Sequence, residues 1–169
     1  LSLDSPPYVD FAVWGPFGMR LLRKLCFVAF IPQGDNSFVR KELPGPPNFE
    51  SWWSSYRVFR AVALLLGFLD IEVADNYGEK IRDLARGYPW FILYQADVRM
   101  RSERMEKLRR LAEQQHASGA MSSFDVQRPW NTVFRAAVAD AEYWAETVKE
   151  QSALYHQRRI SAADAISDG

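Results

Sequence analysis

A single cysteine, Cys26, stands in 169 residues. One thiol excludes an internal disulfide and a cysteine-built zinc site, and its place in the apolar run LCFVAFI marks it as a small buried side chain. A reducing, intracellular compartment, cytoplasmic or nuclear, is the expectation. Histidine is almost as scarce. His116 and His156 lie far apart and show no metal-binding spacing. Long apolar runs are missing too. Ala61–Leu69 and Leu25–Ile31 fall far short of the ~20 residues that a membrane span needs. The first residues, LSLDSPPYVD, carry acids and prolines where a signal peptide has a basic start and an apolar core. Net charge is absent, with 21 basic and 21 acidic residues. The balance is also close to even along the chain, so long-range steering toward nucleic acid has no support.

Catalytic signatures are absent as well. There is no G-x-S-x-G, no phosphate-cradling glycine loop and no dinucleotide fingerprint. Gly15-Pro16-Phe17-Gly18 reads as a turn, because Pro16 has no N–H to offer a phosphate. Glu72, Asp75 and Glu79 share one helix face, but no His or Cys joins them and Arg82 is near enough to pair with Glu79. That reads as a solvated face. No catalytic residue, metal ligand or cofactor is expected, and nothing points to a small-molecule substrate or a membrane.

What the chain does have is aromatic bulk: 14% Phe, Trp and Tyr, with six Trp and eleven Phe. Such side chains bury large areas, so a thick core is expected from a chain of one-domain length. The fold class expected is mainly α: a bundle of about four to five helices, two of them long, with a small N-terminal β-hairpin. Pro6-Pro7 keeps the first ten residues extended, and Pro16 opens a short helix through PFGMRLLRKL. The hairpin pairs Leu25–Ile31 with Phe38–Leu43 around the turn cluster PQGDNS. The competing reading extends the preceding helix to Ile31. After LPGPPN, Asn48 caps a helix Phe49–Phe68. Its second half, AVALLLGFL, is apolar all round and should be the most buried helix. Asp70 caps a helix from Ile71 to Arg86, with Ala74, Tyr77, Ile81, Leu84 and Ala85 inward, and Gly87 ends it.

Pro89 to Glu113 reads as one long helix. Phe91, Tyr94, Val98, Met105, Leu108 and Ala112 form its apolar stripe at ~100° per residue. The polar stretch ASGAMSSFD then makes residues 117–128 a loop. Pro129 opens the last helix, on which Trp130, Phe134, Ala137, Ala141, Trp144, Val148, Gln151 and Tyr155 step by four and three in a heptad seam. The organisation expected is an N-terminal helical domain over 1–116, the loop, a heptad-patterned helix over 129–158 packed on 89–115, and a frayed tail over 159–169. The chain starts at Leu1 and stops at Asp168-Gly169, which is the pattern expected of an excerpt from a longer polypeptide.

Three groups of residues are candidates for function. Trp130, Phe134, Trp144, Val148 and Tyr155 form a candidate assembly face, filled either by the same chain or by another copy. Arg99, Arg104, Lys107 and Arg110 form a candidate nucleic-acid face for RNA or single-stranded DNA. The i,i+4 pairs Asp97–Arg101, Glu103–Lys107 and Glu106–Arg110 weaken that face, leaving Arg99, Arg104 and Arg109 without partners. Arg101 falls inside the apolar stripe and must be paired if the stripe is buried, so Asp97 and Arg101 are expected to form a structural ion pair.

Three segments carry a resemblance: PPYVDFAVWGPFGMRLLRKL, ELPGPPNFESWWSSYRVFRAVALLL and DNYGEKIRDLARGYPWFILYQADVRMRSERMEKLRR. They resemble a repetitive family of dinoflagellate-type protist genomes, found in retroelement-like open reading frames, and the resemblance covers Pro6 to Arg110. It implies a Gag-like structural segment upstream of enzymatic domains. The Cys/His-rich, zinc-knuckle-like stretch that often follows such a segment is absent from these 169 residues. The resulting expectation is a non-enzymatic assembly or protein-interaction module of a retroelement-like polyprotein. The alternative is a nucleic-acid-binding module that uses the basic face of residues 89–115.

Overall fold

A computed structural model of the protein describes residues 8–12, 25–35 and 37–167, with side chains to residue 164. The chain is mainly helical, with two long helices and a two-stranded antiparallel hairpin. The short helix expected from Pro16 lies outside the described residues.

Strand β1 (Cys26–Pro32) pairs with β2 (Phe38–Pro44), Cys26 opposite Pro44 and Pro32 opposite Phe38. The strand reading of this stretch is thus the one adopted. The turn is closed by Asp35, whose carboxylate accepts from the Ser37 amide and hydroxyl at 3.0 and 2.6 Å. Those bonds hold its carboxyl below the usual range. A lone hairpin is marginal in water, and alternation supplies the face that docks. Ala29 is buried and Phe27 meets the Tyr94 ring edge-on at 6.1 Å, while Val28 and Phe30 point to solvent. Gly45 then turns the chain at φ 142°, flat against the Tyr94 ring. A side chain is disfavoured there both by backbone and by space.

Helix α1 (Phe49–Leu65) starts at Asn48, whose side chain accepts from the Ser51 amide at 2.9 Å. Trp52, Tyr56, Phe59 and Ala63 step along its buried face. The helix stops at Leu65, earlier than the apolar pattern suggests. Gly67 takes the left-handed conformation, its amide bonds Leu64 O, and the Phe68 amide bonds Ala63 O. That is a Schellman stop, which only a glycine accommodates without strain. The second half of α1 is consequently not the most buried part of the fold: Leu65 and Leu66 project outward.

Helix α2 (Ile71–Gly87) buries Val73, Ala74, Tyr77, Ile81 and Leu84 against α1 and the helix that begins at Pro129. Gly78 lets the Trp53 ring lie directly on its backbone. Asp70 sits at the N-cap position but makes no side-chain cap bond, contrary to the expectation from its residue type. Its carboxylate is taken by Arg128 and Asn131 instead.

Helix α3 spans residues 90–117 as Trp90–Arg99, a π-helical turn Met100–Arg104 and Met105–Ala117. Helix α4 is Pro129–Ala139. Helix α5 spans 141–167, with a second π-helical stretch at Ala145–Glu150. The single helix expected over 129–158 is therefore broken. Asp140 has ψ 72°, outside the helical region, and its side chain caps the new start by accepting from the Tyr143 amide at 3.2 Å. The tail expected to fray after Arg159 is helical as far as Ser167. Helices α4 and α5 run back along α3: Arg104 meets Asp140, Ala96 meets Tyr143 and Phe91 meets Tyr155.

Candidate functional site

The polar centre of the fold is Asp97 on α3, fully buried. It accepts from Trp52 Nε1 at 2.9 Å on α1, from the Tyr77 hydroxyl at 2.8 Å on α2, and from Arg101 Nε and Nη2 at 3.1 and 2.8 Å one helical turn away. Arg101 is 3% exposed. Its third nitrogen donates to the Val9 carbonyl at 2.8 Å, and its plane covers the Phe11 ring at 4.1 Å. A buried ion pair is tolerated only when such additional bonds satisfy both partners. Burial alone would pull the Arg101 guanidinium down. The Asp97 charge and its hydrogen bonds outweigh that and hold it raised. Every polar atom of the cluster named here is thus spoken for inside the protein, and it is a structural clasp joining three helices and the N-terminal segment. It offers no open position for a substrate. The π-helical turn begins at Met100, at the step between the two charged partners.

The candidate nucleic-acid face does not present four free cations. Arg104 reaches across to Asp140 at 2.8 Å, and Arg110 binds Glu106 at 2.8 Å. Arg109, expected to be without a partner, is clamped by Glu106 and Glu113 at 2.9 and 2.5 Å. Glu106, serving Arg109 and Arg110 together, is held below the usual carboxylate range by the Arg109 hydrogen bond first. Among the described residues, Arg99 and Lys107 are the members of the set without a carboxylate in ion-pair distance, and the Glu103–Lys107 pair is not formed. Of the acidic trio on α2, Asp75 binds Arg60 at 2.5 Å and Glu79 binds Arg82. No grouping of His, Cys, Asp or Glu among the described residues could hold a metal ion.

The candidate assembly face is filled by its own chain. Trp130, Phe134, Trp144 and Val148 are buried in the main core. Phe134 stacks on Phe59 and meets Tyr77 edge-on at 5.4 Å. Trp144 Nε1 turns back to the Ala137 carbonyl at 2.8 Å, bridging the break at Asp140. Tyr155 differs: it is half-buried, edge-on to Phe91 at 5.0 Å and to Phe38 at 6.0 Å. Phe91 and Tyr155 border an open cleft of about 520 Å³ between α3, α5 and the tip of the hairpin, with Arg99 and Arg158 in its lining.

The apolar surface left outside lies elsewhere. Leu65 is 86% exposed, Leu66 60% and Ile71 54%, all at the corner between α1 and α2. The loop carrying the exposed Val126 is tied to that corner through Arg128 and Asp70. Sequence reasoning missed this corner because apolar composition was read as burial. The signal that could have shown it was Gly67, a helix stop two residues after Leu65. It also missed Trp52 and Tyr77 as partners of Asp97; their only signal was that buried Trp and Tyr need an acceptor.

Comparison with protein families, with curated proteins and with solved structures finds no match. No helix among the described residues is long and apolar enough to cross a membrane.

Proposed function

We propose that this chain is a non-enzymatic assembly or protein-interaction module, of the Gag-like kind that the three sequence segments resemble in retroelement-like polyproteins. The observation that carries the reading is the pair of consecutive leucines, Leu65 and Leu66, held out to solvent at a corner beside Ile71. Burying one such side chain contributes about 1.5–3 kcal/mol, so a corner of this kind gains free energy from being covered. The corner, not the heptad seam, is the contact surface, since Trp130, Phe134, Trp144 and Val148 of the seam lie in the core. Self-association is the form of assembly favoured, because net charge is zero and copies do not repel one another.

Sedimentation velocity over a range of concentrations tests this. The wild-type chain is expected to form concentration-dependent oligomers, and Leu65→Glu with Leu66→Glu should leave a folded monomer. A wild-type chain that stays monomeric at every concentration, or a double variant that assembles as before, sinks the self-association reading. The nucleic-acid alternative retains Arg99 and Lys107 as cations clear of carboxylates. It requires an affinity for RNA or single-stranded DNA that falls steeply with salt.

A further inference from the structure

We infer that the cleft between α3, α5 and the hairpin tip binds an acidic, apolar peptide segment in extended form. This site shares no residue with the α1–α2 corner and does not depend on the assembly reading. Its apolar lining includes Ile31 from β1, Phe91 and Ile92 from α3, and Leu154 and Tyr155 from α5. Gln95 and Gln151 stand on facing helices, each with an amide that both donates and accepts, which suits a peptide backbone. Arg99 and Arg158 are the cations of the lining, both exposed and neither in an ion pair among the described residues. They sit toward opposite ends. Phe91 meets Tyr155 and lies eight residues before Arg99, and Arg158 lies three residues beyond Tyr155 on the antiparallel helix, so the two arginines stand about eleven residues, or ~16 Å, apart along the helix axes. An extended chain covers that span in about five residue steps at ~3.3 Å each. A carboxylate at each end of a short apolar run therefore matches both guanidiniums. Glu146 also lines the cleft and disfavours a ligand of uniform negative charge.

Two observations separate this ligand from a nucleic acid. The Tyr155 ring is already in contact with Phe91, with Phe38 and with the Arg159 guanidinium at 5.8 Å, contacts with which a stacking base would have to compete. The basic residues along α3 that would continue a phosphate track, Arg104 and Arg110, are paired with carboxylates.

Fluorescence anisotropy on the whole chain tests the inference. The probe is a labelled peptide with one Glu at each end of about four Leu and Phe residues. The controls are the same peptide with Lys for Glu and a labelled single-stranded oligouridylate. The Glu peptide is expected to bind, the Lys peptide to bind at least roughly tenfold more weakly, and Arg99→Gln with Arg158→Gln to cost roughly tenfold or more in affinity. Both arginines are exposed, so the variant should retain the wild-type thermal midpoint. Equal binding of both peptides, no loss in the double variant, or binding of the oligouridylate without the Glu peptide each overturns the inference, as does absence of Glu-peptide binding up to millimolar concentration.

Discussion

Trp52 Nε1 donates to Asp97 Oδ2 at 2.9 Å across 45 positions of sequence. That bond belongs to the cluster in which Arg101 supplies the opposing charge. Asp97→Asn removes the charge and forces an amide among donors, leaving a buried guanidinium without a counterion. A loss of about 3–5 kcal/mol in urea unfolding is expected. Arg101→Met should cost a similar amount, since Asp97 would keep only its neutral donors. The double variant should lose at least ~1 kcal/mol less than the sum of the two single losses. Additive losses would show that the two residues act separately.

Gly45→Ala places a methyl group against the Tyr94 ring at a backbone angle that L-residues rarely adopt. Tyr94 cannot swing aside, because Phe27 and Trp90 pack against it at 6.1 and 5.9 Å. A destabilisation of about 2–4 kcal/mol is expected. Gly34→Ala, with open space around its position, is the control and should change stability by no more than ~0.5 kcal/mol. Similar unfolding midpoints for the two variants would contradict the packing described at Gly45.

Asp140→Ala removes the cap at the start of α5 and the acceptor for Arg104 at 2.8 Å. The Arg104 side chain is 37% exposed, so the ion pair contributes little and the cap dominates. A loss of about 1–2 kcal/mol is expected. Asp140→Asn keeps a capping oxygen without the charge and should recover most of it. If Asn recovers nothing, the charge pairing with Arg104 is the larger effect.

The alkaline side of the stability profile is set by buried tyrosines. Burial pushes Tyr143 up to about 12 and raises Tyr56, Tyr77 and Tyr94 as well. In the unfolded chain these groups ionise near 10. Above that pH the unfolded state releases protons that the folded state keeps. Stability from this source is complete below about pH 10 and falls as pH rises, by about 1.4 kcal/mol per unit for each tyrosine. The Tyr143 share is lost between about 10 and 12. Urea midpoints measured across this range should fall, and Tyr143→Phe should flatten the slope. A midpoint constant to pH 11 would contradict the burial of these rings.

Much of the architecture is legible in residue types that act locally. Asn48 marks the start of α1, Pro129 that of α4, and the turn cluster PQGDNS between two short runs gives the hairpin to within a residue. The i,i+4 spacing brings Asp97 and Arg101 into view because a helix decides that contact by itself. What stays hidden depends on the partner element. The break at Asp140 interrupts a heptad pattern that continues on both sides of it, and only an Asp followed by Glu142 hints at a second cap. Arg104 and Arg109 find carboxylates that spacing arguments along one basic run did not assign. The exposed corner at Leu65 and the cleft beside Tyr155 are properties of how helices are placed, and neither has a signature in periodicity.

The Arg101–Val9 contact bears on where a minimal folding unit begins. Among the described residues, helix starts at Phe49 and strand at Cys26, so a trimmed version beginning after Ala12 would keep every described regular element. It would remove the acceptor for Arg101 Nη1 and the Phe11 ring that fills the space between Trp52, Tyr56 and Phe59. The irregular residues Tyr8–Ala12 are therefore part of the smallest unit able to fold, and shortening from the front should stop ahead of them.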